Sequence, residues 1–259
     1  MKRFMLICVA TVVVSIGVLG FTVSLLPSNV SILPPEQIYT QLEISIQNTI
    51  DNVVHIRNNT GGWQGSGILV APDLILTARH VAEGGQDFDI MTNDGKVYKA
   101  TRAISSKKYD LGFIKLDVKL PCTTQVGSLN DCRLGQSVYA IGSPFGDVLF
   151  NSVTLGIISS LKRDLEKYDC PKEMGWSVTF QTDAAGHPGN SGCPVFTTDG
   201  VVRGILVGGF SNALIYCVPV ELVANDCQMI QLMFAMDLYE KEVEEVQPQE
   251  DDSYTSKGY

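Results

Sequence analysis

Short apolar runs recur along the chain, separated by turn-forming residues. EQIYTQLEISIQNTI spaces its apolar residues as a helix does, and VVHI (53–56) follows as a strand. GSGILV (65–70) and LILTARHV (74–81) flank Ala71-Pro72-Asp73 and predict a hairpin. FDIMT turns at Asn93-Asp94-Gly95 into KVYKATRAI, and LGFIKLDV (111–118) is a further strand. A second series starts with SVYAIGS (137–143) and continues through VTLGIISSL, WSVTFQT, CPVFTT, VVRGILVGG and ALIYCVPV. Asp199-Gly200 marks a hairpin inside it. Many short strands with tight turns predict an all-β chain. Two comparable series, divided near residues 119–136, predict two barrels. ELVANDCQMIQLMFAMDLYE then spaces Leu222, Val223, Cys227, Ile230, Leu232, Met233, Met236 and Leu238 as an amphipathic helix packed on the second barrel.

The ends differ in character from the middle. After the basic Met1-Lys2-Arg3, Phe4 to Leu26 is a run of 23 residues without a charge. About 20 such residues span a bilayer. With no clear small-x-small cleavage site, an uncleaved anchor is favoured over a cleaved signal. Lys2 and Arg3 would stay in the cytoplasm, with the remainder periplasmic or extracellular, or secreted if the segment is removed. The expected organisation is anchor or signal 1–26, linker 27–35, folded domain 36–239 and acidic tail 240–259. The tail holds seven acids and two lysines and almost nothing apolar, the composition of a disordered segment.

The whole chain has 259 residues, 45% hydrophobic, and a net charge of -9. That argues against a nucleic-acid partner. Six cysteines follow the apolar segment, and in an exported domain an even number suggests disulfides. Cys122 and Cys132 would pair first, across a short loop, while Cys170, Cys193, Cys217 and Cys227 allow three pairings. No Cys-x-x-Cys spacing points to zinc, so no metal or other cofactor is expected.

The chemistry starts from GHPGNSGCP, residues 186–194. Ser191 there is either an ordinary turn residue or an exposed nucleophile. Of the three histidines, His55 reads as a packing residue, His187 stands four residues before Ser191, and His80 ends the strand LILTARH. Asp110 precedes an apolar strand, where a carboxylate needs partners. Acyl transfer by serine requires a base, a carboxylate to orient it and two donors for the oxyanion. His80, Asp110 and Ser191 supply the first two, and the N–H groups of Gly189 and Ser191 the last. The order His-Asp-Ser is that of two-barrel serine proteases, and the divide places Ser191 on the second barrel.

These segments resemble the trypsin-like serine proteases, and most closely their HtrA/Deg branch. GSGILVAPDLILTARHV resembles the family's histidine segment and YDLGFIKLD its aspartate strand. VYAIGSPFG with VTLGIISSL resembles the start of its second barrel, FQTDAAGHPGNSGCPVF its serine loop and YCVPVELV its closing strand. The resemblance covers roughly residues 50 to 225. Cys193, His187 and Arg79 depart from it. It implies two antiparallel six-stranded β-barrels of the chymotrypsin type with a C-terminal helix, and a serine-type endopeptidase acting through an acyl-enzyme. It further implies a specificity pocket with Ala185 at its base and His187 nearby, and a substrate-pairing edge at Leu206 to Gly209, with Gly208 and Gly209 leaving room. Without an acid at the base, a small or medium apolar P1 residue is expected, and an acidic P1 held by His187 is the alternative. The partners would be exported or misfolded polypeptides. About 40 residues follow Pro219, too few for the family's PDZ domain, and the oligomeric state stays open. The competing readings are a latent protease fold serving as a membrane-tethered binding module, and a chaperone-like holdase.

Overall fold

The computed structural model describes residues 40–168 and 170–224. The expected anchor and linker, Cys8, Cys227, most of the C-terminal helix and the acidic tail lie outside the described residues. Among the described residues, no helix is long and apolar enough to cross a membrane.

Helix α1 (Gln41–Thr49) starts at Thr40, whose hydroxyl accepts the Glu43 N–H while the Glu43 carboxylate takes the Thr40 N–H. Seven strands follow: β1 (Val53–Asn58), β2 (Trp63–Ala71), β3 (Leu74–Thr77), β4 (Phe88–Met91), β5 (Val97–Ala100), β6 (Arg102–Ser105) and β7 (Gly112–Lys115), with the one-turn helix α2 (Arg79–Ala82) between β3 and β4. They form an antiparallel sheet in the order β5-β4-β1-β2-β3-β7-β6. Among the described residues no ladder closes it, so the expected first six-stranded barrel is corrected to an open sheet of seven strands. KVYKATRAI, read as one strand, divides at Thr101 and sends β5 and β6 to opposite edges of the sheet. The edges are joined through the chain rather than by hydrogen bonds.

The second sheet contains β8 (Gln125–Val126), β9 (Ser137–Gly142), β10 (Ser152–Arg163), β11 (Thr179–Thr182), β12 (Pro194–Thr197), β13 (Val201–Ser211) and β14 (Leu214–Pro219). Its order is β12-β9-β10-β11-β14-β13-β8, and the additional β12–β13 pairing closes six strands into a barrel. The seventh, β8, joins parallel to β13. The start of the expected C-terminal helix is present as α3 (Glu221–Ala224).

The apolar runs of β9, β12 and β14 are continuous because these strands are buried on both faces. On β9, Val138 and Ala140 point into the second barrel, while Tyr139 and Ile141 join the core shared with the first sheet. β14 repeats this with Ile215 and Cys217 on one side and Tyr216 and Val218 on the other. The Thr49 and Tyr139 hydroxyls, 3.1 Å apart, tie α1 to the same layer.

The disulfide expectation is overturned: Cys122, Cys132, Cys170, Cys193 and Cys217 are all free thiols. Cys122 Sγ donates to the Leu69 carbonyl of the first sheet, while Cys132 is buried in the second barrel. Cys193 and Cys217 lie on opposite sides of Leu206, which pairs with both neighbours. Two strand spacings are roughly 9–10 Å, beyond the reach of a disulfide.

Phe180 is fully buried in the second barrel. Phe180→Ala should cost about 3–5 kcal/mol in urea unfolding. Leu155→Ala, on the exposed face of β10, should change stability by less than about 0.5 kcal/mol.

Candidate active site

β3 ends at Thr77, and Ala78 leads into α2, which carries His80 one turn beyond the strand. Asp110 stands just ahead of β7, the strand paired with β3. The pairing brings the two residues together. His80 donates its backbone N–H to Asp110 Oδ1 at 3.1 Å, and its Nδ1 lies 2.9 Å from Oδ2 and 3.1 Å from Oδ1. Trp176 Nε1–H donates to Oδ2 at 2.9 Å. The Asp110 side chain is only 4% exposed, and that of His80 is 45% exposed.

Burial alone would raise the Asp110 pKa, but the hydrogen bond and charge of His80, then the Trp176 N–H, outweigh it and hold the carboxyl below its ordinary value. A charged carboxylate only accepts, so Nδ1 carries a proton, and in the neutral imidazole Nε2 is the nitrogen with the lone pair.

Ser191 lies in the loop between β11 and β12. The loop turns through His187-Pro188-Gly189-Asn190, with Asn190 N–H donating to the His187 carbonyl at 2.9 Å. Proline second and a glycine at φ +99 third are the marks of a type II turn. The Pro188 carbonyl accepts the N–H of Phe145 at 2.8 Å. Carbonyl and N–H of a trans peptide point opposite ways, so the Gly189 N–H faces away from Phe145. Phe145 is itself left-handed, at φ 57.

Ser66 on β2 fastens this loop. Its Oγ–H donates to the Gly189 carbonyl at 2.8 Å and its Oγ accepts the Ser143 N–H at 2.9 Å. Its own N–H donates to the Ser191 carbonyl at 2.8 Å. Gly192 N–H and Cys193 N–H donate to Leu206 and Asn190 carbonyls. Among the described residues, the N–H groups of Gly189 and Ser191 have no acceptor.

The serine loop packs beside α2. A methyl group added at Gly192 would lie 3.0 Å from Ala78 N, and one at Gly65 would touch both Val81 and the Ser191 carbonyl. Among the described residues no hydrogen bond joins Ser191 Oγ to His80, whose Nδ1 is occupied by Asp110. Such contacts commonly tighten only when substrate arrives.

A cavity of about 320 Å³ opens beside Ser191, lined by His187, Leu206, Gly208, Gly209 and Ile215 among others, with no Asp, Glu, Lys or Arg in its lining. Ala185, expected at its base, is not part of the lining. Gly186 is, since the chain turns in one residue later, over Ile215 and Leu206. His187 lines the cavity and leans on the Phe145 ring, with centroids 5.5 Å apart. His55 lies on β1, buried, with Nε2 3.2 Å from Gln64 Oε1. Burial lowers its pKa first of all, against the Gln64 hydrogen bond.

The sequence reading missed Ser66, Phe145 as a backbone clamp, Ile215 and Trp176. Ser66 and Trp176 stand inside GSGILV and WSVTFQT, which were read only as strands.

The family described as Trypsin-like peptidase domain matches residues 65–205. The chain belongs to that family. It is 38% identical over 168 residues to a "Probable periplasmic serine endoprotease DegP-like" of Halomonas elongata, covering 62% of this chain and 34% of that one. It is 34% identical over 177 residues to "Serine protease Do-like HtrA" of Bacillus subtilis, covering 66% of this chain and 39% of that one. The matched region spans little more than a third of these relatives. Among solved structures, "HtrA-type protease AlgW with tripeptide" aligns with a TM-score of 0.65 and 27% identity, over 73% of this chain and 63% of that chain.

Two outcomes follow. Ser66→Ala leaves the Ser143 N–H and the Gly189 carbonyl without their partner and should cost about 1–3 kcal/mol in urea unfolding. The lowered Asp110 pKa contributes stability that is present above the unfolded value of 3.8 and is lost as pH falls through the folded value. The stability difference between wild type and Asp110→Asn should therefore shrink below pH 3.8, as urea unfolding at stepped pH will show.

Proposed function

We propose that this protein is a serine endopeptidase with Ser191 as nucleophile, His80 as base and then acid, and Asp110 as the group that orients His80. The observation that carries the reading is the His80–Asp110 pair, with a free Nε2, beside a serine loop that leaves two N–H groups unpaired.

Ser191 Oγ attacks the peptide carbonyl while His80 Nε2 takes its proton. Asp110 stabilises the imidazolium and keeps the Nδ1 proton in place. The N–H groups of Gly189 and Ser191 receive the oxyanion. The tetrahedral species collapses, His80 returns the proton to the leaving amine, and an ester to Ser191 remains. Water, deprotonated by His80, attacks that ester, and the acid departs with Ser191 restored.

The cavity, with Leu206 and Ile215 in its lining and no Asp, Glu, Lys or Arg, suits a small or medium apolar P1 residue. β13 at Gly208 and Gly209 offers the edge along which a substrate strand would lie. Polypeptides are the substrates on this reading. The relatives named periplasmic support an exported setting, which the apolar run Phe4 to Leu26 would provide.

Wild type should cleave unfolded casein, and Ser191→Ala should not. Asp110→Asn should lower kcat by about 10⁴-fold. A P1-varied peptide library should favour Ala, Val and similar residues. Equal turnover by Ser191→Ala would remove the serine mechanism, and preference for an acidic P1 would shift the pocket reading to His187.

A further inference from the structure

Trp176 stands on the segment between β10 and β11 and is almost fully buried. Its Nε1–H donates to Asp110 Oδ2 at 2.9 Å. The residue before it repeats the contact through the backbone, as the Gly175 carbonyl accepts the Asp110 N–H at 3.3 Å. Two residues earlier, the Glu173 carbonyl accepts from the Arg79 guanidinium, next to His80. One short segment therefore grips both Asp110 and α2.

The other side of the indole rests on β13. A methyl group at Gly208 would lie 2.6 Å from Trp176 Cη2 and 2.9 Å from Cζ2, so only glycine lets the ring seat there. Tyr216 flanks it with ring centroids 6.4 Å apart. The ring is packed against the strand that lines the specificity cavity, and its one polar atom is spent on the carboxylate.

We propose that Trp176 is a positioning residue of the catalytic triad: its indole N–H holds the Asp110 carboxylate in the orientation that chelates His80 Nδ1–H. The inference rests on the endopeptidase reading. A carboxylate has two oxygens to place. The His80 backbone N–H holds Oδ1, His80 Nδ1 shares its proton between both oxygens at nearly equal distances, and the indole N–H is the further donor given to Oδ2. The indole fixes Oδ2 from a direction set by the packing of its ring on Gly208.

Trp176→Phe keeps an aromatic ring and removes the donor. Trp176→benzothienylalanine keeps the indole shape, puts sulfur in place of N–H, and serves if the Phe variant does not fold. With a cleaved peptide, either variant should lower kcat roughly tenfold to a hundredfold, the worth of a hydrogen bond to a charged group, with KM within about twofold. Without the N–H, more charge on Asp110 faces the imidazolium, so the acid limb of kcat/KM should move to higher pH. In an Asp110→Asn background the same substitution should have little further effect on kcat. NMR titration of the His80 ring, assigned by its loss in His80→Ala, should move the same way without any turnover. An unchanged kcat and His80 titration, or an equal loss in the Asp110→Asn background, would overturn the proposal and leave Trp176 as packing. A shifted His80 titration in a protein that cleaves nothing would instead sink the endopeptidase reading and keep the Trp176–Asp110 link.

Discussion

The Asp110 carboxylate is almost fully buried and must remain charged. Removing such a charge from water costs several kcal/mol. Each hydrogen bond to it returns about 1.5–3 kcal/mol. The His80 backbone N–H, its Nδ1–H and the Trp176 indole supply that return together. None of the three suffices alone, so the fold has to bring α2, the start of β7 and the segment before β11 to one point. The β3–β7 pairing does the first part of this work, and the seating of the indole on Gly208 does the rest.

The serine loop answers to a different constraint. The Gly189 and Ser191 amides stay without acceptors among the described residues while the loop's carbonyls find partners within the protein. Ser66 takes the Gly189 and Ser191 carbonyls, Phe145 takes that of Pro188, and the positive φ of Gly189 turns the remaining N–H away. Ser66 belongs to the first sheet and Ser191 to a loop between two strands of the second. The contact between the sheets is therefore also what shapes the loop.

His80, Asp110 and Ser191 were legible as candidates because each sits in a local motif whose residue type has a chemical reason. The strand series was legible from its turns, Asp199-Gly200 above all. Thr101 was not, because a bend inside a continuous β-prone run leaves no turn residue behind. The cysteine reading went wrong because chain spacing says nothing about which core a residue enters: Cys122 packs against the core shared by the two sheets, and Cys132 enters the second barrel. Trp176 was hidden for a similar reason: its partner is 66 positions away in sequence. Gly186 rather than Ala185 lines the cavity beside Ser191, since pocket lining depends on where the chain turns inward.

The central claim is that Ser191 is a nucleophile activated by a histidine whose other nitrogen is locked to Asp110. Mass spectrometry after exposure to a fluorophosphonate tests it directly, since that probe needs an activated serine but no knowledge of the substrate. The account predicts one adduct, mapped to Ser191, and its loss in His80→Ala. An unmodified wild-type protein, or labelling that survives His80→Ala at the same rate, would contradict it.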